Sequence, residues 1–228
     1  MSLNQQLTIR NFLADAPNQS TLDYQQVWQA MQTFTRERDT NTVDEIWLLE
    51  HTSVFTLGKA ADESHVLNAG DIPLVRVDRG GQVTYHGPGQ IMLYLLANLT
   101  RRNLGVRELV ERLEQSVIAL LASYGIQAKG DRKAPGVYVD NKKIAALGLR
   151  ISRGCSYHGL CLNLDFDASP FLGINPCGYA DLEITQMHNH ISHLPSKRII
   201  ATQLAGELAK QLGYSEITGS DAVAVFDV

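Results

Sequence analysis

Three cysteines occur in the chain, and their surroundings separate a candidate nucleophile from two fillers. Cys177 lies in Ile174-Asn175-Pro176-Cys177-Gly178-Tyr179. Proline and glycine on either side predict a tight turn that exposes the sulfur. Such a turn also leaves nearby backbone N–H groups free to stabilise a thiolate or a developing oxyanion. Cys161 alternates with Leu160 and Leu162 and reads as a small core residue of a strand, while Cys155 follows Gly154 at a turn. A thiol whose ordinary pKa is ~8.5 needs a cation or base beside it to work at neutral pH. The candidates are His86, His158, Lys133, Lys142 and Lys143. Lys142 and Lys143 adjoin on one hairpin arm, so they face opposite sides of it. One is solvated and the other can turn inward. The residue types alone leave the partner of Cys177 open.

A second concentration of chemistry is Arg79-Gly-Gly-Gln-Val-Thr-Tyr-His-Gly-Pro-Gly-Gln90. Four glycines and a proline, mixed with a cation, an imidazole and a phenol, read as a ligand-binding loop at a sheet edge rather than a plain hairpin loop. It lacks the spacing of a nucleotide P-loop or a dinucleotide fingerprint. His188, His190 and His193 form a His-x-His-x-x-His cluster without a cysteine or carboxylate at a supporting spacing, so no metal site is assigned. Arg101, Arg102, Arg107, Arg150 and Arg153 read as a solvated face, with docking of an acidic partner as the alternative.

These groups need a scaffold. Leu7–Ile9 reads as a first strand, and Ser20, as N-cap, opens an amphipathic helix over 22–37 through Tyr24, Val27, Met31 and Phe34. Glu45–Glu50, Ser53–Gly58, Pro73–Val77 and Ile91–Leu96 read as strands, with a polar, mobile loop over Lys59–Asn68. Leu109, Leu113, Val117, Leu120, Leu121 and Tyr124 form one face of a long helix that Gly125 ends. Gly136–Ile151 reads as a hairpin turning at Asp140-Asn141-Lys142. Tyr157–Phe166 gives another strand, Leu182–Ile184 a short piece, and Ile199–Leu212 a closing helix. Hairpin-paired strands with interspersed helices predict an α+β layered domain around a largely antiparallel sheet.

Composition sets the outer bounds. With 228 residues and 44% apolar content the chain reads as one domain, 1–228, with a substantial core. A net charge of −4 gives no basic bias towards nucleic acid. No apolar run approaches the ~20 residues that span a bilayer, and Met1–Thr8 does not encode a secretion signal. An odd number of cysteines without CxxC spacing predicts free thiols in a reducing cytoplasm.

Four segments together carry a family resemblance: the Arg79–Gln90 run, Lys142-Lys143-Ile144, Ser156-Tyr-His-Gly159 and Asn175-Pro-Cys-Gly-Tyr179. In this order they resemble the lipoyl(octanoyl) transferases, over about Glu50 to Ile184. The resemblance implies the α+β biotin/lipoate protein ligase-like fold, a largely antiparallel mixed sheet with packed helices. It implies a ping-pong acyl transfer with no cofactor and no metal. Cys177 matches the family nucleophile, which takes octanoate from octanoyl-acyl carrier protein as a thioester. Lys143 matches the lysine that lowers the thiol's pKa and relays protons. Substrate contacts match Arg79, Gly80, Gly81, Gln82, Val83, Thr84, Tyr85 and His86. They also match Ala146, Leu147 and Gly148 on one strand, and Gly159, Leu160 and Cys161 on the next. The implied acceptors are lysines of lipoyl domains of 2-oxoacid dehydrogenases and of glycine-cleavage H protein. A cytoplasmic monomer that engages neither nucleic acid nor membrane is expected. Two other readings are an ATP-dependent lipoate or biotin ligase on the same fold and a non-catalytic scaffold that binds carrier proteins. The Asn-Pro-Cys-Gly setting and the missing adenylate loop oppose the ligase.

Overall fold

A computed structural model describes residues 3–14, 21–179 and 181–221. The strands are β1 (Gln6–Asn11), β2 (Thr21–Leu22), β3 (Asp44–His51), β4 (Val54–Leu57), β5 (Leu74–Arg76), β6 (Val83–His86) and β7 (Gln90–Leu96), then β8 (Lys129–Gly130), β9 (Gly136–Val139), β10 (Lys142–Ser152), β11 (Cys155–Asn163) and β12 (Glu216–Asp221). The helices are α1 (Tyr24–Glu37), α2 (Leu99–Arg102), α3 (Val106–Ser123) and α4 (Lys197–Leu212). The large sheet runs β12-β1-β3-β7-β11-β10-β9-β8, with β2 also paired to β3. Its pairs from β3 through β8 are antiparallel, while β1 is parallel to both neighbours. A separate small sheet, β5-β4-β6, carries Val83–His86, the middle of the glycine-rich run. The expected α+β, largely antiparallel mixed architecture is therefore present.

Two-sided burial explains the near-continuous apolar strands. In β3 and β7, Ile46, Leu48, Ile91, Leu93 and Leu95 pack under α3 and α4, where Leu109, Leu113, Val117, Leu204 and Leu208 are buried. The alternate residues Trp47, Leu49, Met92, Tyr94 and Leu96 face the other way, onto Val27 and Met31 of α1. The site is built on this second face.

Several boundaries differ from the sequence reading for local reasons. Helix α1 starts at Tyr24 because the Asp23 side chain accepts from the Gln26 amide; the expected cap, Ser20, lies outside the described residues. Thr21 and Leu22, expected at the start of that helix, pair instead with Glu50 and His51. Strand β12 has no apolar alternation to reveal it and forms by pairing with β1. Lys59–Asn68 is held rather than loose. It contains a short turn at Glu63–His65, and the Leu67 and Asn68 amides donate to the Gly173 carbonyl at 2.8 and 2.9 Å. Arg101 is no solvated cation either. With Arg38 it pairs with the fully buried Asp44, at 2.7 and 2.6 Å respectively. Arg153 donates to the Thr35 and Arg36 carbonyls.

Candidate active site

Cys177 sits in a one-turn 3-10 element, Pro176–Gly178, with φ 58° and ψ 13°. A left-handed non-glycine residue costs roughly 1–2 kcal/mol and persists where its surroundings over-determine it. Here Gly178 N–H donates to the Asn175 carbonyl at 3.0 Å and Tyr179 N–H to the Pro176 carbonyl at 3.1 Å. Asn175 N–H donates to the His65 carbonyl at 2.8 Å. The amides of Gly178 and Tyr179 are thus committed to the turn. Of the backbone N–H groups near the sulfur, these two and that of Asn175 are therefore not available to an oxyanion.

The chain leaving this turn returns along the start of β10. Lys143 N–H donates to the Glu183 carbonyl at 2.8 Å, and Thr185 N–H donates to the Lys143 carbonyl at 3.0 Å. That pairing brings the lysine and the cysteine turn together. Lys143 is 3% exposed and its Nζ lies 3.1 Å from Cys177 Sγ, 3.3 Å from the Pro135 carbonyl and 5.2 Å from the Tyr138 ring centroid. Lys142 is on the opposite face, exposed, and paired with Glu183. Burial works to lower the pKa of the Lys143 ammonium. The sulfur opposite, by charge and hydrogen bond and with help from Tyr138, outweighs burial, so the net shift is upward. Lys143 therefore carries its proton at neutral pH. Of the other candidate partners of the thiol, His86 and His158 line the cleft described next, and Lys133 is exposed.

Behind the thiol lies a cleft with about 480 Å³ of empty space, partly open to solvent, between β6 and the β10-β11-β7 face. Register makes the trough. Gly148 stands opposite Gly159, which stands opposite Tyr94; Ala146 stands opposite Cys161, which stands opposite Met92. A Cβ on Gly159 would meet the Leu93 carbonyl oxygen at 2.0 Å, and one on Gly148 would meet Arg79 Cδ at 3.1 Å. Neither position has room to spare for a side chain.

Arg79, Gly81, Gln82, Val83, Thr84 and His86 line the cleft from the small-sheet side. Ala146, Leu147, Gly148, Gly159, Leu160 and Cys161 line it from the large sheet. Two of the expected contacts do not. Gly80 anchors the loop, its N–H donating to the Leu149 carbonyl at 2.9 Å. Tyr85 points from the other side of β6, its hydroxyl 3.0 Å from Ser53 Oγ and its ring beside Phe55, Phe166 and Phe171. It borders a smaller cavity shared with Lys143 and Cys177. The glycine-rich stretch is thus part loop and part strand. Arg79 is buried, donating through Nη2 to the Thr56 carbonyl and hydroxyl at 2.8 and 2.7 Å. Burial lowers its pKa, yet a guanidinium keeps its charge.

Cys161 is a wholly buried thiol pushed up to about 12, which leaves it a neutral core residue of the cleft wall. Cys155, Cys161 and Cys177 are all free.

Residues 23–209 match the family described as lipoyl protein ligase A/B catalytic domain. An octanoyltransferase of Aliivibrio fischeri is 57% identical over 187 residues, covering 82% of this chain and 80% of its own. One of Cellvibrio japonicus is 52% identical over 206 residues, covering 90% and 96%. The chain belongs to the lipoyl protein ligase A/B catalytic family, in its octanoyltransferase branch. Among solved structures, a lipoate-protein ligase A bound with ATP superposes with TM-score 0.73 at 12% identity, covering 95% of this chain and 90% of its own. A bipartite lipoate protein ligase from Thermoplasma acidophilum gives 0.71 at 12%, covering 97% and 88%. These two show a shared fold. The scaffold reading gives way to an enzyme.

In this octanoyltransferase-branch chain, sequence reasoning left four cleft-lining residues out of the site: Tyr24, Met92, Tyr94 and His158. The first three read as core by their spacing. His158 stood next to a matched glycine, and its signal was its place in Ser156–Gly159. Its backbone has φ 60°, and its Nε2–H donates to Asp78 at 3.1 Å. Asp78 also accepts from Trp28 Nε1 at 2.8 Å, Gln32 Nε2 at 3.3 Å and the Tyr157 hydroxyl. Burial would raise the Asp78 carboxyl. The bonds from His158, Tyr157 and Trp28 more than reverse this and hold it well below the usual carboxylate range. Burial lowers His158 despite Asp78, so its imidazole is neutral. Among the described residues no three His, Cys, Asp or Glu side chains form a metal-ligating group. His190 bonds Thr185 at 2.9 Å, and His188 lies 3.9 Å from Asp165. No described helix is long and apolar enough to cross a membrane.

Proposed function

We propose that this chain moves octanoate from octanoyl-acyl carrier protein, through a thioester on Cys177, to the ε-amine of a lysine on a lipoyl domain or glycine-cleavage H protein. The observation that carries this reading is the 3.1 Å contact between Lys143 Nζ and Cys177 Sγ beside the cleft. At that distance the Lys143 ammonium can donate to the sulfur and pass a proton to and from the reacting groups. In the first half-reaction the thiolate attacks the carrier thioester. A new S–C bond forms, the carrier C–S bond breaks, and the departing carrier sulfur takes a proton from Lys143. In the second, the acceptor amine attacks the enzyme thioester and loses a proton to Lys143. Cys177 leaves as thiolate and an amide remains. Thioester exchange is close to isoenergetic and amide formation is downhill, so neither step calls for ATP. The trough of paired glycines and the Arg79–His86 segment hold the acyl chain. The whole chain acts as one catalytic domain, a monomer in the cytoplasm, with carrier protein and lipoyl-bearing proteins as its partners.

Intact-protein mass spectrometry after mixing with octanoyl-carrier protein, without ATP, tests the reading. One octanoyl adduct, mapping to Cys177 and absent in Cys177→Ser, is expected, with Cys155→Ser unaffected. An adduct that persists in Cys177→Ser, or appears only with ATP and free octanoate, overturns it in favour of another nucleophile or of a ligase.

A further inference from the structure

The far half of the cleft is polar where an alkyl chain calls for an apolar lining. Cys161 borders both the cleft and the small cavity that holds Lys143 and Cys177. His158, three residues away along β11, is ~10 Å further from that point at the usual strand rise, a distance on the order of an eight-carbon chain. Around it stand Tyr24, His86 and Tyr94, all buried and all lining the cleft. Tyr24 stacks on His86 with centroids 5.8 Å apart, and Tyr94 lies 6.0 Å from His158.

The hydrogen bonds in this ring are unevenly filled. The Leu22 carbonyl, 3.0 Å from His51 Nδ1, fixes the proton there. His51 Nε2 therefore accepts from the Tyr94 hydroxyl at 2.7 Å, and the Tyr94 oxygen, which also neighbours the Tyr24 hydroxyl, remains an acceptor. His158 spends its Nε2–H on Asp78, so its Nδ1 is an acceptor, and that atom has no partner. His86 Nδ1 and Arg79 Nε are likewise buried without partners. Buried polar atoms without partners are few in folded proteins, and a cluster of them invites a ligand atom. A single hydroxyl both donates and accepts, and so matches a ring that offers the His158 Nδ1 and Tyr94 acceptors beside the Tyr24 hydroxyl and the Arg79 Nε–H.

We propose that this end of the cleft is a hydrogen-bonding subsite for a polar group on the terminal carbon of the acyl chain, so that the enzyme also accepts eight-carbon ω-hydroxyacyl thioesters. The subsite rests on the transfer reaction proposed above for the same cleft.

The test uses two carrier-protein thioesters of equal heavy-atom count, 8-hydroxyoctanoyl and nonanoyl, and compares their kcat/KM for adduct formation on Cys177. The subsite gives 8-hydroxyoctanoyl a kcat/KM equal to or above that of nonanoyl. An apolar end gives the reverse order, and nonanoyl the better substrate overturns the proposal. In Tyr94→Phe, the ratio of the two should swing about tenfold towards nonanoyl; an unchanged ratio also overturns it. Ratios taken within one variant cancel any loss of folded protein. Titration calorimetry with the free acids, 8-hydroxyoctanoate against nonanoate, reads the same order by binding alone. If octanoyl itself forms no adduct, the transfer reading fails, while the calorimetric order still decides the subsite.

Discussion

At the scale of single residues, the pairing of Cys177 with Lys143 is the arrangement with the clearest chemical consequence. Removing the cation by Lys143→Met should slow iodoacetamide alkylation of Cys177 at pH 7 about tenfold or more, because the ionised sulfur loses its counter-charge. Lys143→Arg keeps a positive charge but cannot release its proton at working pH. It should hold part of the alkylation rate yet lose most single-turnover deacylation by a lipoyl domain. Lys142→Met, which only breaks an exposed pair with Glu183, should match wild type in both assays. If His86→Ala shifts the curves and Lys143→Met does not, the relay belongs to histidine. The choice between adjacent lysines follows from strand alternation. Which of the two turns inward depends on the Lys143–Glu183–Thr185 backbone contacts, made across about forty residues of chain.

At the scale of elements, a two-residue turn and a pair of facing glycines place the site. Asp140 and Asn141 both have positive φ, 49° and 64°, as a tight hairpin with mirror-image turn geometry requires. That turn sets the register of β9 on β10, and with it the face Lys143 occupies. Further along, Gly148 opposite Gly159 keeps the trough open. Gly148→Val would crowd the Arg79 stem and fill the cleft from the β10 side. The expected outcome is at least a tenfold loss in octanoyl adduct formation with iodoacetamide alkylation near wild type, since the small reagent needs only the thiol. Equal losses in both would mean that the valine disturbs the cysteine turn and not the acyl path.

At the scale of the molecule, buried histidines tie stability to pH. Burial holds His51 at about 4, and burial likewise lowers His86 and His158. An exposed histidine titrates near ~6.5. Between those values the unfolded chain binds a proton that folded His51 refuses, so stability falls as pH falls from about 6.5 to about 4. For His51 alone this amounts to about 3 kcal/mol. Asp78, held below the ordinary carboxylate range, adds a further loss under about pH 4. Urea unfolding at pH 7.0, 5.5 and 4.5 should show a steadily falling midpoint. A midpoint flat to pH 4.5 would show that these histidines are not buried as neutral groups.

What the amino-acid sequence determined by itself is local and periodic. Helix α3 followed from apolar residues at helical spacing, the β9–β10 hairpin from Asp140-Asn141, and the cysteine turn from Pro176 and Gly178. The candidate nucleophile and the glycine-rich loop were legible because glycine, proline and cysteine have few ordinary reasons to cluster, whereas the cleft wall on β10 and β11 came from the family resemblance. Tertiary structure alone decided which groups meet. β12 exists through its parallel partner β1, and Arg101 is drawn inward because the buried Asp44 awaits it from β3. Tyr85 turns away from the cleft on the far face of β6. Tyr24, Tyr94 and His158 come from a helix and two strands; the two tyrosines taken singly look like core, and His158 was weighed only as a partner of the thiol. Spacing along a chain encodes the face a side chain occupies, but it carries no information about what the facing element brings to it. That is why the polar end of the cleft becomes visible only when α1, β6, β7 and β11 come together.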